Sequence, residues 1–202
     1  DRVGVGHLLT QPPVLAGCPE SLSVQCLAEV PTPAAVTALD NCDGPVPVVF
    51  TEAESNPGSS CKNVITRTWT ATDRCGHVAQ CSQTITVNDT IAPELHGVPA
   101  DLTIECSDPL PDPATVTATD NCDSNPTVGL VQTDQPLTCP QSRIITRTWT
   151  AKDACGNEVS GVQVITMLDR TAPELSAYPK DATVECDAVP PAETLTATDN
   201  CD

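Results

Sequence analysis

Twelve cysteines, 27 carboxylates and three histidines carry most of the reactive chemistry of this 202-residue chain. Zinc is the first chemistry to test. Structural zinc sites are built on closely spaced cysteine or histidine pairs. No C-x-x-C occurs, and His7, His77 and His96 are scattered. Nucleophilic catalysis has no candidate, since paired cysteines leave no thiolate and no serine stands in a nucleophile-elbow sequence. A glycosidase needs only two carboxylates, but the conspicuous acids here recur at regular spacing, as scaffold residues do. The chain is therefore read as having no enzymatic activity. An even cysteine count at this density reads as oxidised pairs and an extracellular address, secreted or on a cell surface.

The elements that hold these residues must manage with little apolar bulk. Only Phe50, Trp69, Trp149 and Tyr178 are aromatic, so cores are thin and disulfides compensate for missing burial. The formal charge of −18 makes nucleic acid a poor partner, because phosphate binding needs clustered Lys and Arg. An acidic surface fits solubility, repulsion between neighbours or divalent cations. No apolar run approaches the length of a transmembrane segment, and no signal-peptide pattern opens the chain, which reads as a mature or internal segment.

Self-similarity organises everything else. Thr66–Gly76 (TRTWTATDRCG) returns 80 positions later as Thr146–Gly156 (TRTWTAKDACG). Ile91–Leu95 and Thr171–Leu175, and Cys26, Cys106 and Cys186, keep that spacing. Cys61 and Cys139 stand 78 apart, so one loop differs in length. The frame gives two full modules, 11–90 and 91–170. Residues 171–202 form a partial third, and residues 1–10 align with the final strand of a preceding module. Both ends are expected to be completed by further polypeptide.

Within a module the period is that of strands. Val64–Thr72 alternates, with Ile65, Trp69 and Ala71 on one face and threonines on the other. Both tryptophans are expected in the core, each beside a disulfide of its own module. Arg67 shares the tryptophan face and needs a sandwich edge or the indole to accommodate it. Thr115–Asp120, Val162–Thr166, Thr183–Glu185 and Thr194–Thr196 also read as strands. Asp43-Gly44, Asn56-Pro57-Gly58 and Cys155-Gly156-Asn157 read as turns. No amphipathic helix is evident. Short strands with prolines between them predict antiparallel β-sandwiches in tandem.

Cys18-Pro19, Ala118–Asp123 (ATDNCD), TWTATDRCG and Gln80–Val87 (QCSQTITV) together resemble the hyalin repeat, most closely its four-cysteine bacterial variety. The resemblance spans nearly the whole chain. It implies an all-β, immunoglobulin-like sandwich stapled by disulfides and used in tandem for extracellular adhesion or surface structure.

Cysteine pairing follows from the frame. Cys18 and Cys81 give way together to Val98 and Gly161, as bonded partners would. Each module keeps four more: Cys26, Cys42, Cys61 and Cys75, then Cys106, Cys122, Cys139 and Cys155. The partial copy keeps Cys186 and Cys201. Of three possible connectivities, bonding first to second and third to fourth leaves none unpaired: 26–42, 61–75, 106–122, 139–155 and 186–201. Hyalin-type modules pair in that way by resemblance, closing loops of about 15 residues worth roughly 3 kcal/mol each.

The Asp-Asn-Cys-Asp clusters are the remaining polar feature. Turn chemistry is the plainer reading, with Asp and Asn accepting nearby backbone amides. The functional reading is calcium, held by Asp89, Glu94, Asp120 and Asp123 through hard oxygens, in a linker loosely like that of cadherins. Asn88-Asp89-Thr90 is an N-linked sequon if the source is eukaryotic. The leading function is structural: a segment of an extracellular filament, stalk or adhesin, its partners being neighbouring modules or identical chains. The alternative is a carbohydrate- or protein-binding accessory module of a secreted protein, for which exposed aromatic platforms are the discriminating feature.

Overall fold

The computed structural model describes residues 11–139, 141–176, 180–192 and 194–201. The expected strand over residues 1–10 lies outside them, as does Tyr178. Apart from one 3-10 turn at Leu27–Glu29, the regular elements among the described residues are all β-strands.

Two compact units are present. The first runs to Pro93 and also takes in Thr119–Pro126 and Lys152–Glu158; the second holds the rest. Two loops of the second repeat thus belong to the first unit.

In the first unit, β1 (Val14–Ala16), β3 (Thr37–Asp40) and β4 (Gly44–Val46) form one sheet. The other is ordered β2 (Leu22–Val24), β7 (Val78–Val87), β6 (Asn63–Thr72), β5 (Val48–Glu54). β6 shows why the period matters. Asn63, Ile65, Arg67, Trp69 and Ala71 are buried on one face, and the alternate residues are not. Ala38 and Val46 of the small sheet pack with Ala71 of the large one, beside Leu15 and Val48. Ile65, Ile85 and Val87 form a second cluster with Leu22, Val24, Leu27 and Val30. β2 runs parallel to β7, with Leu22 opposite Ile85, while β6 is antiparallel to β7.

Arg67 is accommodated neither by an edge position of its own nor by the indole. It is 4% exposed, and the facing residue of the edge strand, Glu52, accepts from its Nε at 2.6 Å. The counterpart Arg147 donates to Gln132 Oε1 at 2.9 Å and to the Pro111 carbonyl at 2.6 Å. A buried guanidinium thus has an acceptor in both repeats, as desolvation of a charge requires.

The second unit repeats the large sheet as β11 (Thr127–Pro136), β12 (Arg143–Lys152), β13 (Glu158–Leu168) and β9 (Leu102–Glu105). Its second sheet is reduced to β8 (Glu94–His96) and β10 (Thr117–Thr119). Ile145, Ile165 and Met167 pack with Ile104 and Leu110. Among the described residues, 171–202 contribute the pair β14 (Glu174–Leu175) and β15 (Ala197–Thr198). Thr183–Glu185 is not a strand, and pairing near Thr194–Thr196 begins only at Ala197.

Trp69 and Trp149 are each 2% exposed. Trp69 lies opposite Cys81, and Phe50 packs against it with ring centroids 5.3 Å apart. Trp149 has no such disulfide in its own repeat, contrary to expectation. A Cβ on Gly161 would meet the Val98 methyls at 2.8 and 3.2 Å. Valine on glycine fills the place that Cys18–Cys81 fills in the first repeat.

Candidate functional site

The long strands separate the four shared cysteines of a repeat into two pairs. Cys26 follows β2, and Cys61 precedes β6. Because β2 parallels β7 and β6 opposes it, both cysteines stand at the same end of the sandwich, with Asp89. Cys42 follows β3 and Cys75 follows β6, at the other end, where the Arg74 N–H donates to Asp43 Oδ2 at 2.8 Å. Ten residues of β6, at about 3.3 Å each, put the two ends about 30 Å apart. No disulfide spans that distance.

The bonds observed are accordingly Cys26–Cys122, Cys61–Cys155 and Cys106–Cys201, besides Cys18–Cys81. The pairings 26–42, 61–75, 106–122, 139–155 and 186–201 are all replaced. The first cysteine of one repeat bonds the second of the next, and the third bonds the fourth of the next, at separations of 94 to 96 residues. Cα atoms stand 5.1 Å apart in both Cys26–Cys122 and Cys61–Cys155. Both bonds lie inside the first compact unit, because the loops bearing Cys122 and Cys155 belong to it. Cys42, Cys75, Cys139 and Cys186 are exposed and outside these four bonds.

Those loops are built by the turn chemistry that the sequence suggested. Asp120 Oδ1 accepts the Cys122 and Asp123 N–H groups at 2.9 and 2.8 Å; Asp40 does the same for Cys42 and Asp43. Asp123 accepts from Asn125 with one oxygen and from Ala154 with the other, both at 2.9 Å. It ties the two loops together and has no oxygen without a donor. In the loop of Cys155, Asp153 accepts the Asn157 N–H and Nδ2 at 2.8 and 2.7 Å. Burial works against its charge, but the Asn157 hydrogen bonds prevail and hold its carboxyl below the ordinary value.

Turn chemistry does not account for all the carboxylate oxygens. Asp89 is 3% exposed, and its Oδ1 accepts the Ile91 N–H at 3.1 Å. Asp89 Oδ2 and Asp120 Oδ2 are both buried without a hydrogen-bond partner. Asp89, Asp120 and Cys122 each place one potential ligand atom within 4.8 Å of the others. The expected set Asp89, Glu94, Asp120 and Asp123 is thus only partly assembled. Glu94 is exposed on β8, in the second unit. Asn88 of the sequon is half-buried, its Oδ1 accepting the Lys62 N–H at 3.0 Å, and Thr90 Oγ1 lies 3.2 Å from Gln25 Oε1. Sequence reasoning missed Asn157, whose Nδ2 also reaches the Asp89 carbonyl at 3.2 Å.

No helix among the described residues is long and apolar enough to cross a membrane. No curated protein matches the chain. Among solved structures it is similar to that titled "Protocadherin gammaB7 EC3-6 cis-dimer structure", at 17% identity over 87% of this chain and 55% of that one, with a TM-score of 0.32. It is also similar to Drosophila N-cadherin EC1-3, at 13% identity over 79% of this chain and 68% of that one, TM-score 0.28. A further structure, protocadherin gamma B7 extracellular cadherin domains 1-4, shares 14% identity over 77% of this chain and 49% of that one, TM-score 0.28. The chain therefore spans only about half to two thirds of these structures. The description "HYR-like domain with 4 cysteines" matches twice, at residues 15–87 and 96–167. With more than half its length so matched, the chain belongs to the family of HYR-like domains with four cysteines.

Proposed function

We propose that this chain is a structural segment of an extracellular filament, stalk or adhesin in which each repeat is bonded to the next by two disulfides. The pairing offset supports this reading. Bonds that skip from one repeat to the following one close a ladder along the chain, where bonds within a repeat would only stiffen that repeat.

The same rule gives partners to further cysteines. Cys75 takes the third cysteine of a preceding repeat; Cys139 and Cys186 take the fourth and second of following ones. Their surroundings support it. In the first unit the loops of Cys122 and Cys155 sit over Cys61 and Asp89, leaving a cavity of about 260 Å³. At Cys139 the equivalent place is an open groove of about 710 Å³, lined by Leu137, Gln141 and Arg143 among others. The occupant proposed is the Asp-x-Cys-Gly loop of the next repeat. A carbohydrate-binding role is less well supported, because both indoles are buried and offer no stacking platform.

Electron microscopy of the native material, with a non-reducing peptide map, tests the proposal. Extended chains of modules are expected, with the Cys75 and Cys139 peptides bonded to peptides of other repeats. Isolated globules in which Cys75 and Cys139 alkylate as thiols would refute it.

A further inference from the structure

The geometry points to a divalent-cation site formed by the carboxylates of Asp89 and Asp120, beside the Cys26–Cys122 bond. A buried carboxylate and a half-buried one at close range repel each other, and their enclosed oxygens have lost hydration. Each has one oxygen explained, Asp89 Oδ1 by Ile91 and Asp120 Oδ1 by the turn of Cys122 and Asp123. Each has one oxygen, Oδ2, enclosed and without a donor. Buried polar atoms in native proteins are nearly always satisfied, and two carboxylates that each place a potential ligand atom within 4.8 Å of the other need a positive charge between them.

The donor set selects the class of ion. Hard carboxylate oxygens suit calcium or magnesium. Cys122 Sγ is near, but as a disulfide sulfur it offers no thiolate, so soft-metal chemistry has no ligand. Two protein carboxylates leave most of the coordination sphere to water. The cavity beside Asp89, lined also by Ser59, Ser60 and Ser124, has room for it. Asp123 and Glu94 take no part: Asp123 has both oxygens committed, and Glu94 is exposed in the second unit.

The disulfide assembles the site, since Cys122 and Asp120 share one turn and the bond to Cys26 fixes that turn in the unit holding Asp89. In the next repeat Asp169 stands beside Cys106 and Cys201, but among the described residues no second carboxylate joins that group. One ion per chain is therefore expected.

The test uses the full oxidised chain, stripped with a chelator, then titrated with calcium or magnesium while heat and the unfolding midpoint are followed. The expected result is one ion per chain and a saturable upward shift of the midpoint. Asp89→Asn should abolish both and, in chelator, should unfold no earlier than the parent. Should that variant fail to fold, Asp120→Asn, which keeps the Oδ1 acceptor, is read in the same way. Asp181→Asn, which removes an exposed charge elsewhere, should leave the response intact. A parent chain that gives no heat and no shift would overturn the site in favour of a shared proton. An Asp89→Asn chain that responds like the parent would overturn it in favour of diffuse charge screening.

Discussion

Moving the disulfide of the first repeat into the second tests how the two cores correspond. The substitutions are Val98→Cys with Gly161→Cys. Both Val98 methyls lie within 3.2 Å of where a Cβ on Gly161 would stand, so the Val98 Cβ, one bond further, is within the roughly 3.5–4.5 Å that a disulfide spans. The bond would close the same 63-residue separation as Cys18–Cys81. In the chain-entropy model such a loop is worth about 4 kcal/mol. Loss of the valine packing removes about 1 kcal/mol, leaving a net gain of about 3 kcal/mol. At about 4–8 °C per kcal/mol for a domain of under 100 residues, the transition of the second unit should rise by about 12–24 °C. The assay is thermal unfolding of the full chain, oxidised, with a non-reducing peptide map to show that 98–161 has formed. A mapped bond with no rise in that transition would refute the loop-closure argument. Failure of the bond to form would refute the equivalence of Val98–Gly161 and Cys18–Cys81.

Two further outcomes follow from named contacts. Glu52→Gln should cost less than Glu52→Ala, since an amide oxygen, as Gln132 offers Arg147, still accepts from the guanidinium, whereas Glu52→Ala should cost about 1–3 kcal/mol by leaving a buried guanidinium short of an acceptor; equal losses in denaturant melts would contradict this. Burial disfavours the charge of Asp73 and Asp153, yet hydrogen bonds from His77 and Asn157 hold both carboxyls below the ordinary value. Depressed carboxylates stabilise above their unfolded pKa of about 3.9, and that stability is lost as pH falls through the lower folded values. Asp73→Asn with Asp153→Asn should therefore be less stable than the parent at neutral pH, the gap closing below about pH 4; a gap independent of pH would contradict the reasoning.

Much of this protein follows from residue order alone. The 80-residue frame, the alternation that buries Ile65, Trp69 and Ala71, and the Asp-led turns are local properties, set by side-chain period and by hydrogen bonds between near neighbours. The family resemblance was legible for the same reason, because its motifs are contiguous. The paired loss of Cys18 and Cys81 was legible too, though not that valine on glycine replaces them. Disulfide choice was not local. Counting cysteines favoured the short loops 26–42 and 61–75, since short loops close most readily in a free chain. The folded chain has no such freedom: a ten-residue strand holds first and third cysteines at one end of a sandwich and second and fourth at the other, about 30 Å away. Strand length and direction thus overrule sequence proximity, and the nearest partner becomes a cysteine some 95 residues distant. Asp89 and Asp120 meet for the same reason. They lie 31 positions apart in sequence, and the bond of Cys122 to Cys26, with that of Cys155 to Cys61, holds the turn of Asp120 in the unit that buries Asp89.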